Sequence, residues 1–274
     1  MEATYLMCPP DFFGVDYVIN PWMEGHIGDV NRGRAHEQWL ALRAILEGPF
    51  EARVQTVEPV EGLPDMVFTA NAGLVYDRIF VPARFRFQER RGEEVPFESW
   101  FAGNRFDQIT VNGFNEGAGD MLFLTSDGES TLFAAFGFRS DRSTHAAIAE
   151  KLGVKVETLE LVNPRFYHLD TCFCPLPGGN VIWHPSAFSE GSVQIVKSLI
   201  PEANRYEAMD IDATHFACNA VGVPGHVVMN DCSVEMEEWL NGKSFEVHRT
   251  PLDEFMKAGG GAKCLTLRVD SGLV

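Results

Sequence analysis

The chain has 274 residues, 45% hydrophobic and 22% charged, a globular balance that can bury a sizeable core. Its formal net charge of −17 argues against a nucleic-acid backbone or an anionic membrane surface as partner and permits a cationic ligand. No basic segment followed by an apolar leader opens the chain, and no apolar run approaches transmembrane length, so the six cysteines read as reduced thiols of a cytoplasmic protein.

Apolar spacing predicts a first helix over 30–48. Pro64-Asp65-Met66-Val67-Phe68-Thr69-Ala70-Asn71-Ala72-Gly73 reads as strand-like with polar residues at its end. Phe114-Asn115-Glu116-Gly117-Ala118-Gly119-Asp120 is a small-residue loop carrying two carboxylates. Strands at 121–124 and 130–136 flank the turn Ser126-Asp127-Gly128-Glu129, and a helix follows at 143–152. Phe166 to Cys172 alternates, which would put His168 and Asp170 on one face. Strands at 172–175 and 181–184 flank Leu176-Pro177-Gly178-Gly179 and precede a helix at 190–199. Strands at 216–221 and 226–229 flank Gly222-Val223-Pro224-Gly225 and precede a helix at 234–240. A short helix at 252–258 leads into Gly259-Gly260-Gly261, after which Leu265, Leu267 and Val269 alternate as a buried strand. The hairpin-then-helix unit recurs at roughly 45–50 residues, and counting outward gives about five units, which predicts a five-bladed ring. No linker or low-complexity tract interrupts it, so 1–274 reads as a single domain.

Cys264 stands where the glycine run meets this last strand, a way to present a nucleophile; the alternative is a small buried core hydrophobe. His168 with Asp170 beside it suits an imidazole held in one tautomer, against a satisfied core histidine. Asp65 is otherwise a turn residue after Pro64, and Glu116 a solvated loop charge. Cys172 and Cys174 with His168 lack the C-x-x-C pairs of zinc sites and read as core, so no metal is expected. Thiol, imidazole and carboxylates together suit thiolate attack on a carbon held between carboxylates.

The combination P-D-x-V-F-T, E-G-x-G-D, F-x-H-L-D-T and a late G-G-A-K-C resembles the guanidine-modifying enzymes of the pentein fold, from Cys8 to Val269 and in family order. The resemblance implies a five-bladed α/β propeller of ββαβ-type units with pseudo-fivefold symmetry. It implies Cys264 as nucleophile, His168 as general acid/base and Glu116 as the carboxylate on the substrate guanidinium. Asp65 is implied as a further acid of the site, and Asp170 in guanidinium binding or in positioning His168. It places Arg90 and Arg139 on the substrate carboxylate, with Arg91 and Arg142 as the alternatives in register. One departure stands out: Asn71 occupies the position of a family aspartate. An amide there keeps an acceptor and adds a donor, which could hold citrulline's neutral oxygen.

That asparagine, with Cys8-Pro9-Pro10-Asp11-Phe12-Phe13-Gly14-Val15 and Asn20-Pro21-Trp22-Met23, is most similar to the arginine dihydrolases, known as the N-terminal domain of a two-domain cyanobacterial protein. Asn20 is counted with the substrate-binding residues on that resemblance. The implied substrate is L-arginine or a related guanidino compound, taken to ornithine, ammonia and carbon dioxide with no cofactor, in a stand-alone relative or an excised domain, with a homo-oligomer compatible. Arginine deiminase, then dimethylargininase or amidinotransferase, are the alternatives within the class, and an inert ring-shaped binding module the alternative outside it.

Overall fold

One plan builds all five three-stranded sheets of the computed structural model, which describes residues 3–270. Two antiparallel strands, joined as a hairpin in four of the sheets, are followed by a helical crossover that adds a third strand parallel to the second. The sheets are β3 (Gly73–Tyr76), β4 (Ile79–Pro82) and β5 (Asp107–Gln108); β6 (Met121–Ser126), β7 (Glu129–Phe136) and β8 (Lys155–Glu160); β9 (Phe173–Leu176), β10 (Asn180–Trp183) and β11 (Arg205–Glu207); and β12 (Val221–Val223), β13 (His226–Met229) and β14 (Glu246–Arg249). The fifth sheet joins the two ends of the described chain. There β1 (Thr4–Met7) runs parallel to β2 (Arg53–Thr56) and antiparallel to β15 (Leu267–Arg268), with Tyr5 opposite Arg268 and Leu6 opposite Leu267. The expected five-bladed α/β propeller of ββαβ-type units is the observed architecture.

The crossovers are α1 (Arg32–Glu47), α2 (Glu94–Gly103), α3 (Arg142–Leu152), α4 (Glu190–Leu199) and α6 (Val234–Gly242). The short helices α5 (Asp210–Thr214) and α7 (Asp253–Met256) lie before β12 and β15. Asn31 caps α1 by accepting from the Arg34 amide, and Ser233 caps α6 by accepting from the Met236 amide. Helix α2 escapes the sequence reading because Pro96 interrupts its pattern; a proline in the first turn, where amides lack intrahelical partners, costs little.

The middle strand of each sheet is buried on both faces, and its two-residue period divides it between neighbouring cores. Leu132 and Ala134 of β7 join one hydrophobic cluster while Phe133 and Ala135 join the next. Likewise Ile182 of β10 faces one core and Val181 and Trp183 another. The hydrophobic core is thus distributed between the blades. The first strands meet around the axis, where Leu74, Met121, Phe173, Val221 and Leu267, one from each sheet, line a cavity of about 90 Å³.

Four segments expected to be extended are wholly or partly turns. Residues 64–72 form two 3-10 turns, Pro64–Val67 and Thr69–Ala72, ending at Gly73. Of the expected strand at 216–221 only Val221 is extended, as the first residue of β12, and Phe216 has a left-handed backbone (φ 59°). Leu265 lies in a turn closed by its own amide on the Gly261 carbonyl, which leaves the last strand only Leu267 and Arg268. His168 precedes a 3-10 turn at Leu169–Thr171, so the strand alternation that would align it with Asp170 is broken. Each of these turns stands directly before the first strand of its sheet. That is where the polar side chains gather.

Candidate active site

Four of the five pre-strand turns each present a polar side chain inward: Asn71 before β3, Glu116 before β6, His168 before β9 and Asn219 before β12. The fifth, before β15, presents the Cys264 thiol. All are buried, as are Asp65 and Asp170. Ring closure thus brings together residues 65 to 264 of the chain.

The Cys264 thiol donates to Asp170 Oδ2 at 3.2 Å. Asn219 Nδ2 donates to Cys264 Sγ at 3.0 Å and to the Asp170 carbonyl at 2.9 Å. Asn219 Oδ1 accepts from the amides of Gly261 (3.0 Å) and Cys264 (3.1 Å), so one side chain fixes the whole glycine-rich turn. Gly260 is required there, since a Cβ would lie 2.3 Å from the Phe68 ring. Burial, reinforced by the Asp170 carboxylate, pushes the Cys264 thiol well above its ordinary range. Burial also raises Asp170 to about 7, against the lowering effect of the Cys264 hydrogen bond and Lys263. The resting pair is a protonated thiol beside a carboxyl poised near neutrality. A bound cation would favour both anions.

His168 Nε2 lies 2.7 Å from Glu116 Oε2, and Arg139 Nη1 donates to the same oxygen at 3.0 Å. Burial opposes ionisation of Glu116, but Arg139 and His168 outweigh it and hold the carboxyl well below the usual range. The expectation that Asp170 could position His168 is therefore corrected: Glu116 holds the imidazole, and Asp170 holds the thiol. The 3-10 turn between them sends the two side chains to different partners. Asp120 completes this side by accepting from the Leu169 amide and the Ser140 hydroxyl.

Asp65 accepts from Tyr17 through Oδ2 (2.9 Å), while its Oδ1 and Asp170 Oδ1 are buried without a protein partner among the described residues. Burial raises the Asp65 carboxyl despite Arg90 nearby. Two buried carboxyl oxygens without protein donors among the described residues suit a guanidinium, which offers five N–H groups and a charge.

The arginines are placed differently from a free carboxylate clamp. Arg90 is buried and chelated by Glu93 at 2.8 and 2.7 Å, and it donates to Asn71 Oδ1 (2.8 Å) and the Asp65 carbonyl (3.2 Å). Its donors thus orient Asn71. Arg139 is sandwiched between the rings of Phe87 and Tyr167 and divides its donors between Glu116 and the Ile19 carbonyl. Arg91 is exposed and donates to the carbonyls of Phe85 and Arg86; Arg142 is also exposed, over the Phe136 ring. Asn20 is buried, donates to the Ala258 carbonyl and caps the Pro21–Met23 turn, tying that segment to the glycine run. Asn219, Tyr17 and Glu93 were missed in the sequence. For Asn219 a signal existed: Phe216-Ala217-Cys218-Asn219-Ala220 repeats the F-x-x-N-A of Phe68-Thr69-Ala70-Asn71-Ala72.

No family model matches the chain. It is 40% identical over 265 residues to an N(G),N(G)-dimethylarginine dimethylaminohydrolase of Mycobacterium tuberculosis, covering 97% of this chain and 85% of that protein. The crystal structure of the N-terminal domain of ArgZ, described as an arginine dihydrolase and solved as a C264S variant bound to substrate, superposes over the full length of both chains with a TM-score of 0.96 and 46% identity. The chain belongs to the guanidine-modifying enzymes of the pentein fold. Within that family it is 49% identical over 271 residues to the bifunctional arginine dihydrolase/ornithine cyclodeaminase ArgZ of Synechocystis sp., and 48% identical over 270 residues to AgrE of Nostoc sp.. The chain spans 38% of the length of each of these two proteins.

Proposed function

We propose that the chain is an arginine dihydrolase, hydrolysing L-arginine to ornithine, ammonia and carbon dioxide through covalent intermediates on Cys264. The observation that carries the reading is the gathering of a thiol–carboxyl pair, Cys264 and Asp170, and a carboxylate–imidazole pair, Glu116 and His168, in one set of buried pre-strand turns. The likeness to ArgZ and AgrE supports the substrate class. We take the chain as one catalytic unit. Among the described residues no helix is long and apolar enough to cross a membrane, and the six free, buried cysteines suit a reducing compartment such as the cytoplasm.

The substrate guanidinium enters between Asp65 and Asp170, and its charge favours the carboxylates and the thiolate. Cys264 Sγ attacks the central guanidinium carbon. The C–N bond to a terminal nitrogen breaks, and ammonia departs with a proton delivered by His168, which Glu116 holds in place. Water, deprotonated by His168, then displaces the thiolate to give citrulline. In the second cycle Cys264 attacks the ureido carbon and ornithine leaves. The resulting carbamoyl thioester is hydrolysed to ammonia and carbon dioxide. Arginine and two waters thus yield ornithine, two ammonia and one carbon dioxide. Asn219, as donor to Cys264 Sγ, stabilises the thiolate.

The deciding experiment follows products from L-arginine over time. Ornithine with two ammonia per turnover supports the reading. Accumulation of citrulline that the protein leaves untouched would replace it with arginine deiminase, and methylamine release from methylated arginines would favour a dimethylargininase.

A further inference from the structure

A second cluster of chemistry-bearing side chains lies on the β12–β13–β14 blade, away from the turns that gather the active site. His226 opens β13, and Glu246 and His248 stand two apart on the neighbouring strand β14. The parallel register sets His226 opposite Glu246 and Val228 opposite His248, so the period of the sheet places all three on one face. The intervening Val227 and Val247 pair on the other face, against the neighbouring core. Phe50, from the loop between α1 and β2, lies with its ring centroid 6.0 Å from each imidazole, so the cluster sits on the seam between two blades. His226 follows the turn Pro224-Gly225, at the other end of β12 from Asn219, the partner of the Cys264 thiol.

His226 Nδ1 and His248 Nε2 are 3.1 Å apart, and His226 Nδ1 and Glu246 Oε2 are 3.6 Å apart. The three ligand atoms all lie within 4.8 Å of one another. Zinc bonds of about 2.0–2.2 Å to imidazole nitrogen and carboxylate oxygen, at tetrahedral angles, put ligand atoms roughly 3.3–3.5 Å apart. The strand register thus sets two of the three donor separations close to that spacing and holds the third within 4.8 Å. Two imidazoles and one carboxylate favour a borderline transition ion over magnesium or calcium, which take oxygen donors. Glu246 is largely exposed, so solvent can reach the cluster and a water can complete a fourth position.

We propose that His226, Glu246 and His248 form a surface binding site for a divalent transition metal ion of the zinc type, which clips β13 to β14 and stabilises the ring at the seam beside Phe50. The site is separate from the thiol chemistry and serves stability, since an ion that binds the folded chain alone shifts unfolding by mass action.

The test uses the full chain with Cys264→Ser, which removes the active-site thiol as a competing ligand, after stripping with a chelator. Titration with Zn²⁺ in a calorimeter is expected to give one site per chain, with Mg²⁺ giving none. His226→Gln and His248→Gln are each expected to weaken Zn²⁺ binding by about a hundredfold or more, beyond the 10–100-fold effect of losing an outer-shell partner. Co²⁺ should give visible ligand-field bands without a thiolate charge-transfer band. Zn²⁺ should raise the melting temperature of the parent chain and leave that of the glutamine variants unchanged. The variants' arginine turnover on the Cys264-containing chain, unaltered without metal, shows that they fold. Absence of stoichiometric Zn²⁺ binding, or binding that survives the double substitution His226→Gln/His248→Gln, would overturn the proposal.

Discussion

Asn219 reaches Cys264 twice: its Nδ2 donates to the sulfur at 3.0 Å and its Oδ1 accepts from the cysteine's own amide at 3.1 Å. One side chain thereby sets the position of the thiol and supplies a donor to the charge that must form on it. Asn219→Ala is expected to lower kcat roughly tenfold to a hundredfold, since a hydrogen bond to a charged group is worth about 1.5–3 kcal/mol. It should also lower the melting temperature, because the Gly261 and Cys264 amides lose their buried acceptor. Asn219→Asp keeps the acceptor and loses the donor. Its stability should lie nearer wild type while its turnover stays low. Wild-type kcat in both variants, read by ammonia release, would remove Asn219 from the chemistry.

Cys264→Ser should still bind L-arginine, because Asp65, Asp170 and Glu116 are untouched, and should release no ammonia. A serine hydroxyl at this buried position has no means of ionising near neutral pH. Calorimetric binding paired with product analysis makes the check. Turnover well above background would place the nucleophile elsewhere.

The propeller was legible in the sequence through three hairpin-then-helix units, and Cys264, His168 and Glu116 through their setting and the family motifs. The partners of these residues were harder to read. The sequence pairs His168 with Asp170 by assuming strand geometry, whereas the 3-10 turn at Leu169–Thr171 redirects Asp170 to the thiol. Short 3-10 turns carry no hydrophobic period and so leave no pattern to detect. The role of Asn219 depends on contact across 45 residues, which neighbouring residues in sequence cannot reveal. Only its F-x-x-N-A likeness to the Asn71 turn points to it. His226, Glu246 and His248 escape for a related reason, as their spacing matters only once β13 and β14 are in register.

Asp170 gives opposite pH dependences for activity and stability. Its carboxyl, pushed up to about 7 by burial, is neutral below that pH in the folded chain. Guanidinium binding needs the carboxylate, so kcat/KM should fall as pH drops below about 7. For stability the sign reverses. Between its ordinary 3.8 and about 7 the folded chain binds the proton and the unfolded chain does not, so this contribution to stability falls as pH rises through that window and is flat above it. Glu93, at about 7, and Asp120, at about 6, slope the same way, so the comparison must be with Asp170→Asn. That variant should lose roughly tenfold to a hundredfold in kcat/KM at pH 8, and the acid limb should flatten. Its stability relative to wild type should increase as pH rises from 4 to 8. An unchanged acid limb would assign it to another group.

Asn71 is the residue on which product choice should turn. Its Oδ1 accepts from Arg90, and its Nδ2 faces the Glu116 carbonyl oxygen at 3.5 Å. Gly119 crowds the amide so closely that a Cβ there would lie 2.1 Å from Nδ2. The side chain is thus held in one orientation, with Arg90 in turn held by Glu93. In Asn71→Asp the oxygen facing Arg90 keeps its donor, while the other oxygen opposes the Glu116 carbonyl, acceptor against acceptor. A guanidinium can relieve that clash by donating with its charge, whereas citrulline's neutral ureido oxygen adds a further acceptor. The variant is expected to turn arginine into citrulline and to release it, with ornithine formation reduced. A difference of a few kcal/mol suffices, at roughly tenfold per 1.4 kcal/mol. If Asn71 only secures the turn before Gly73, Asn71→Asp will melt earlier and yield the wild-type products in wild-type proportion. Time courses with arginine and with citrulline as separate substrates, read for ornithine, citrulline and ammonia, distinguish the two outcomes. Undiminished consumption of citrulline by the variant would show that the amide does not select the second step.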